Sequence, residues 1–277
     1  KISLFRYLNK LSMIKKTILS LSALLLYSCA PNPPEAKGPE SITFSLEIIE
    51  EELSKDSLLQ MRFYIEDLKI DTTYASSESL EGQIRRRLLE NNMSSEGNYR
   101  TYAEMIEQMM EEYRTLNGED EINQSWELSQ SLQVVLNENG LFGLQSSHSS
   151  YTGGAHGNTF VSNQTYRLDN QNLLSLDSLL IPAKKQDFIA ICESKFRQEQ
   201  ELGPTESLDA KGFWFKEDRF YLPEIFSYSP AGLSLFYNSY EIAPYAYGII
   251  EISLSREEIA PFIRDPYLLA AAPTAAL

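Results

Sequence analysis

The residues best suited to chemistry lie at positions 150–158, which read SYTGGAHGN. Gly153, Gly154 and Gly157 surround His156, one of the two histidines in the chain. An imidazole in such a loop could act as a catalytic base, bind a metal ion or support the shape of a turn. Glycine is required where φ is positive or where another backbone segment approaches closely. The pattern therefore favours a structural turn formed by the three glycines, with a ligand-contacting loop as the main alternative.

The sequence motifs of known catalytic and metal sites are missing. A zinc site needs about four ligands, and the sequence contains no HExxH, CxxC or HxH spacing. The G-x-S-x-G turn of serine hydrolases is also missing, and no pair of carboxylates is marked out for glycoside hydrolysis. We therefore expect no catalytic residue, no metal and no cofactor. A cell-wall glycan hydrolase or esterase that uses His156 with an acid distant in sequence stays as an alternative.

A second candidate region is rich in aromatic side chains. Between Phe213 and Tyr247 lie 12 of the 31 aromatic residues, and the segment LFYNSYEIAPYAYG places Tyr240 and Tyr245 close together. Tyrosine combines an apolar ring with a polar tip, so it suits protein interfaces and stacking on sugars as well as a packed core. Together the two regions give five predicted ligand-binding residues: Tyr151, His156, Asn158, Tyr240 and Tyr245.

The start of the chain has the features of a bacterial secretion signal. A positively charged region and an apolar run at 17–27, too short to span a bilayer comfortably, precede Cys29 in a sequence similar to a lipobox. We expect residues 1–28 to be a signal peptide. Met13 is then the true start, and residues 1–12 are an artefact of an early start.

Lipidation of Cys29 would anchor the protein to a membrane through an acyl chain. Residues 29–41 contain four prolines and would form an extended tether. Cys192 would then be the one remaining thiol, and its place on an apolar helical stripe predicts a small buried side chain. The expected location is the bacterial cell envelope, facing the periplasm or the cell exterior.

The charge of the chain restricts its partners. The formal net charge is −15, but residues 1–28 carry five basic and no acidic side chains. The remainder has 19 basic and 39 acidic side chains, a formal charge of −20. Such a surface repels nucleic acid, and it would attract a cationic partner.

Hydrophobic periodicity predicts an α+β fold. Alternation at 126–136, followed by the Asn139-Gly140 pair, predicts a β-hairpin, so that SYTGGAHGN lies between two strands of an antiparallel meander. A capping box at Ser255 and Glu258 predicts a short final helix. We expect an antiparallel sheet, built from hairpins or a meander, packed with several helices.

The two candidate regions together resemble a known family. YTGGAHGN and the later GLSLFYNSYEIAPYAYGIIEISLSREEI are similar to segments of an extracytoplasmic domain of unknown function. That domain is shared by the lysozyme-sensing anti-sigma factor RsiV and the non-catalytic region of the peptidoglycan deacetylase PdaC. The resemblance implies an N-terminal α+β half of the PdaC type at 42–120 and an RsiV-like α+β half at 121–265. The alanine-rich tail at 266–277 has little to bury and is expected to fray.

The sequence and the resemblance together lead to one expected function. We expect a non-enzymatic cell-envelope lipoprotein that binds a cationic protein such as a lysozyme-like hydrolase, or peptidoglycan fragments, through the loops around SYTGGAHGN and the tyrosine-rich segment. A purely structural envelope lipoprotein is the other alternative to the hydrolase or esterase.

Overall fold

The computed structural model describes residues 39–55, 58–90, 99–120, 124–264 and 267. The predicted signal peptide, the lipidation site Cys29 and most of the predicted tether lie outside these residues. Within the described parts of the chain, no helix is long and apolar enough to cross a membrane.

The chain runs through strands and helices that form two sheets. Its elements are β1 (Phe44–Lys55), β2 (Leu58–Ile70), α1 (Ser77–Glu90), α2 (Tyr102–Asp120), β3 (Trp126–Glu138), β4 (Leu141–Tyr151), β5 (Asn158–Arg167), α3 (Leu176–Leu179), α4 (Lys185–Glu199), β6 (Ile225–Ser229), β7 (Gly232–Tyr237), β8 (Ile250–Ser255) and α5 (Arg256–Ile259). This arrangement confirms the predicted α+β class.

The larger sheet has the strand order β1-β2-β3-β4-β5. Three of its neighbouring pairs are antiparallel, as predicted, but β2 and β3 are parallel, with Met61 opposite Trp126 and Ile65 opposite Gln130. Two parallel strands need a long crossover connection. The segment that contains α1 and α2 supplies it, so the sheet is mixed and not a pure meander.

The predicted hairpin between β3 and β4 is confirmed. Asn139 and Gly140 both have positive φ, at 53° and 69°, as a two-residue hairpin turn with the right twist requires. The turn and the register shift between Val134 and Leu136 together place Glu127 opposite Tyr151. That register fixes where the following loop, at 152–157, leaves the sheet.

Helices α1 and α2 pack on the larger sheet through two apolar clusters. Leu80, Ile84 and Leu88 of α1 join Phe142 and other residues of β3–β5. A second cluster joins α2 to β2 and the start of β3 (Met61, Phe63, Met105, Met109, Trp126). Both helices thus stabilise the sheet from which the loop at 152–157 emerges.

The smaller sheet, of order β6-β7-β8, is antiparallel and contacts β3, β4 and β5 through β6. Its core includes Phe188 and Phe196 of α4 together with Tyr237 of β7. The predicted capping box is confirmed, since Ser255 and Glu258 exchange hydrogen bonds at the start of α5. The loop between β7 and β8 carries the tyrosine-rich segment.

All described residues belong to one compact unit. Strands from both sides of the predicted division at 120 lie in the same five-stranded sheet. Of the predicted tail, Tyr267 is described, and its carbonyl oxygen accepts a hydrogen bond from the Tyr228 hydroxyl at 2.6 Å.

Candidate ligand-binding site

The loop between β4 and β5 has a shape that depends on its glycines. Gly153 and Gly154 have φ of 97° and 93°, a region that residues with a Cβ rarely adopt. Gly157 serves a different need, because a Cβ there would lie 2.7 Å from the carbonyl oxygen of Ser150. The three glycines let the chain reverse direction and return close to the strand it has just left.

Side chains close this loop by hydrogen bonds to its backbone. The Tyr151 hydroxyl donates to the carbonyl of Gly154 at 3.1 Å. Gln124, just before β3, accepts from the backbone N–H of Gly154 through Oε1 at 2.9 Å. The loop is therefore tied both to its own strand and to the segment that precedes β3.

His156 lies on the surface, against the tyrosine-rich loop. Its ring stacks on that of Tyr245, with ring centroids 4.0 Å apart and an angle of 17° between the planes. Tyr245 in turn contacts Tyr240, with centroids 5.7 Å apart. We call His156, Tyr245 and Tyr240 the aromatic row. His156 and Tyr240 are exposed, and Tyr245 between them is half-buried.

The carbonyl oxygen of Gly157 joins the two loops. It accepts a hydrogen bond from the Tyr245 hydroxyl at 2.9 Å and lies 2.9 Å from Nδ1 of His156. Because a carbonyl can only accept, Nδ1 of His156 carries the proton and donates. The imidazole thus holds the loop in place through Nδ1.

The contacts of His156 do not form a catalytic arrangement. A general base in hydrolysis is normally oriented by a carboxylate and placed beside a nucleophile, whereas the described contacts of His156 are a backbone carbonyl and a tyrosine ring. Among the described residues, no group of three His, Cys, Asp or Glu side chains could hold a metal ion. The surface is instead suited to stacking and to single hydrogen bonds.

Asn238 fixes the tyrosine-rich loop to the larger sheet. Its carboxamide accepts from the N–H of Val161 at 2.8 Å and donates to the carbonyl of Val161 at 3.0 Å. β5 is an edge strand of its sheet, so Asn238 satisfies a backbone position that has no neighbouring strand. Asn238 was not predicted, and no short motif predicts a carboxamide paired with a strand 77 residues away.

Tyr240 is held in an unfavourable backbone conformation. Its φ is 68°, a region that residues other than glycine, asparagine and aspartate seldom adopt. The ring is 54% exposed, so little of it packs against the rest of the protein to offset the strain. Backbone strain of this kind is concentrated at binding and catalytic sites.

The other two predicted ligand-binding residues, Asn158 and Tyr151, differ in their exposure. Asn158 is exposed at the first position of β5, opposite Ser150. Tyr151 is half-buried, and its hydroxyl is engaged by Gly154. Of the five predicted ligand-binding residues, the structure therefore brings His156, Tyr240 and Tyr245 into direct contact and places Tyr151 and Asn158 beside them at the ends of β4 and β5.

The second histidine has an internal position. His148 is buried on β4, stacks on Phe160 at 4.6 Å, and lies 3.0 Å from the Ser146 hydroxyl through Nε2. Burial lowers its pKa to about 4, so the ring is neutral at pH 7. Ser146 is itself buried and contacts the Ser162 hydroxyl at 2.7 Å. His148, Ser146 and Ser162 thus form a buried polar network.

Cys192 is buried on α4, as the sequence predicts. Burial raises the pKa of its thiol to about 12. A nucleophilic cysteine needs the opposite shift, toward the thiolate, so Cys192 acts as an apolar core residue.

Comparisons with known proteins divide the chain into two matched segments. Residues 62–159 match the family described as Deacetylase PdaC, and residues 177–257 match the family described as Protein of unknown function (DUF3298). No curated protein matches the chain.

Two crystal structures show the same fold. A member of the DUF3298 family from Bacteroides fragilis gives a TM-score of 0.63 at 19% sequence identity, covering 83% of this chain and 96% of that one. A DUF3298 family protein from Pseudomonas aeruginosa gives 0.58 at 16% identity, covering 82% and 96%.

The aromatic row combines residues from both matched segments. SYTGGAHGN lies in the first match, and Tyr240 and Tyr245 lie in the second. The resemblance that these two motifs indicated is thereby confirmed: the chain joins a PdaC-like segment to a DUF3298-like segment, on the fold of the two DUF3298-family structures.

Proposed function

We propose that this protein is a non-enzymatic binding protein of the bacterial cell envelope, and that the aromatic row contacts a cationic protein partner. The observation that carries the proposal is the row itself. His156 stacks on Tyr245, which contacts Tyr240 at a tilted angle; two of the three rings are exposed, and both loops that present them are fixed by hydrogen bonds. A rigid, exposed aromatic group of this kind is typical of the residues that dominate protein interfaces.

The charge of the chain favours a cationic partner. The chain after residue 28 has a formal charge of −20, and Glu241, directly after Tyr240, is exposed. Glu241 also accepts a hydrogen bond from the backbone N–H of Asn238 at 2.9 Å, so its carboxylate is held beside the row. Opposite charges raise the association rate and exclude wrong partners. A basic, lysozyme-like hydrolase has the required charge.

The proposed envelope location depends on the sequence before the described residues. The signal-like segment and Cys29 predict export and an acyl anchor, and the tether would hold residues 42–265 away from the lipid. A partner that acts on the cell wall would be encountered in that location.

The proposal is tested by measuring the binding of a basic lysozyme at physiological salt. We expect Tyr240→Ala to weaken binding at least tenfold, because a central interface tyrosine commonly contributes more than about 1.4 kcal/mol. Tyr64→Ala, which removes a partly exposed tyrosine of β2 outside the row, serves as the matched control. Equal binding by wild type and Tyr240→Ala would refute the role of the row, and absence of binding by the wild type would refute the lysozyme-like partner.

The same variants distinguish a glycan ligand. Soluble peptidoglycan fragments that bind the wild type, and lose affinity on Tyr240→Ala but not on Tyr64→Ala, would show that the row stacks on sugars and not on a protein. Turnover of such fragments that is abolished by His156→Ala, in a variant that keeps its fold, would show a hydrolase and contradict the non-enzymatic proposal.

A further inference from the structure

Two arginines that form no ion pair with a described carboxylate lie close together in the fold. Most arginines of the described chain form ion pairs with carboxylates: Arg62, Arg85, Arg114, Arg167, Arg197 and Arg219. Arg86 and Arg100 form no ion pair with any described carboxylate, although acidic side chains outnumber basic ones in this chain. Both are exposed.

These two arginines line the same groove. It lies between α1 and residues 99–100, has a volume of about 260 Å³ and is lined by Gly82, Arg85, Arg86, Glu90, Tyr99 and Arg100. Gly82, Arg86 and Glu90 are spaced by four residues and therefore share one face of α1. The groove has room for a small molecule and not for a folded domain.

Arg85 forms the fixed wall of the groove. Its guanidinium group donates to both carboxylate oxygens of Asp67, at 3.2 and 2.8 Å. Asp67 is buried on β2, so this pair holds Arg85 against the sheet and neutralises its charge. The free positive charge of the groove therefore comes from Arg86 and Arg100.

Gly82 keeps the groove open. Glycine in the interior of a helix is unfavourable compared with alanine, so its presence at mid-helix needs a reason. Close packing is not that reason, because a Cβ built on Gly82 meets no atom within 4 Å. The empty space above Gly82 is part of the groove itself, and any longer side chain would fill it.

We infer that this groove binds an oxyanion, a carboxylate or a phosphate on a small molecule, between Arg86 and Arg100. Guanidinium groups bind both kinds of oxyanion through paired N–H donors. Glu90, at the end of α1, is exposed in the same groove. Its charge disfavours a doubly charged anion and favours a single negative charge, so a carboxylate is preferred over a phosphate.

The inference is tested by calorimetric titration of the purified protein with sodium acetate and with inorganic phosphate at low ionic strength. We expect saturable binding of acetate, and a loss of at least tenfold in affinity in the double variant Arg86→Gln/Arg100→Gln. Arg219→Gln removes one positive charge at an exposed arginine outside the groove and should leave the affinity unchanged. Phosphate bound more tightly than acetate would overturn the inferred preference for a carboxylate.

Two further variants distinguish binding in the groove from a general effect of the protein's charge on anion binding. Gly82→Leu leaves the charge unchanged and should abolish binding while circular dichroism shows an intact fold. Glu90→Gln should raise the affinity for phosphate more than that for acetate. Failure of the wild type to bind either anion, or equal losses in Arg219→Gln and the double variant, would overturn the inference. Lysozyme binding does not enter these measurements, so the result is independent of the proposed function.

Discussion

The ring of Tyr245 stacks on the imidazole of His156 at 4.0 Å, and both side chains reach the same carbonyl oxygen, that of Gly157. These two residues are 89 positions apart and belong to different matched segments of the chain. The aromatic row therefore forms only when the loop after β4 and the loop after β7 are both in place. Binding of a ligand to the aromatic row therefore requires that these two loops be docked against each other.

Removal of the Tyr245 hydroxyl should loosen this docking without abolishing it. Tyr245→Phe loses the hydrogen bond to Gly157 but keeps the ring, so we expect the free energy of unfolding to fall by about 1 kcal/mol. Tyr245→Ala also loses the stacking on His156 and the ring contact with Tyr240, and should be more destabilising. Urea denaturation of both variants checks the order. Equal losses in the two variants would show that the ring contributes nothing.

Asn238 should contribute to stability as well as to the position of the loop. Asn238→Ala leaves both backbone groups of Val161 on an edge strand without their partner, so we expect a loss of about 2 kcal/mol. Hydrogen exchange at the Val161 amide should become faster in the variant. Asn158→Ala, at an exposed position of the same strand, is the control and should leave that amide protected. An unchanged exchange rate in Asn238→Ala would show that the carboxamide is not needed.

The glycines of SYTGGAHGN should respond differently to alanine. Gly157→Ala places a Cβ against the backbone carbonyl of Ser150, which cannot move without disturbing β4. Gly154→Ala meets no neighbouring atom, and its cost comes from φ alone, about 1–2 kcal/mol. We expect Gly157→Ala to be the more destabilising change by thermal denaturation, and also the one that weakens the stacking of His156 on Tyr245. The reverse order would contradict the role assigned to Gly157.

A substitution at Gly82 is expected to stabilise the protein. Because the position above Gly82 is open and the residue lies inside α1, Gly82→Ala should raise the free energy of unfolding by about 0.5–1 kcal/mol. Chemical denaturation measures this directly. A destabilised Gly82→Ala variant would mean that the glycine is required for packing, which would remove one of the arguments for an open groove.

Local features of the fold could be predicted from the sequence, whereas contacts between distant segments could not. The turn at Asn139-Gly140 and the capping box at Ser255 are each encoded by a few adjacent residues, because their hydrogen bonds are local. The parallel pairing of Met61 with Trp126 depends on the path of two intervening helices. No residue pattern near either strand indicates it.

In the candidate site, too, local features could be predicted from the sequence and contacts between distant segments could not. The glycines around His156 predict a backbone of special shape, and the dense tyrosines predict a surface or a core, but neither motif says that the two meet. The meeting depends on Asn238, whose partner Val161 is 77 residues away. The family resemblance placed the two motifs in one domain, and the structure supplies their contact.

The buried His148 should make the protein sensitive to acid. Its pKa is lowered by burial from 6.5 to about 4, so the unfolded chain takes up a proton on this side chain at a higher pH than the folded protein does. The free energy of unfolding is therefore unaffected by His148 above about pH 6.5 and falls as the pH is lowered toward about 4, by on the order of 3 kcal/mol in total.

Carboxylates titrate in part of the same range, so the quantity to measure is the difference in the pH dependence of stability between variants. Urea denaturation at a series of pH values should show that His148→Gln flattens the pH dependence of stability between 6.5 and 4. Equal slopes in the wild type and His148→Gln would show that His148 is not protonated on unfolding in this range.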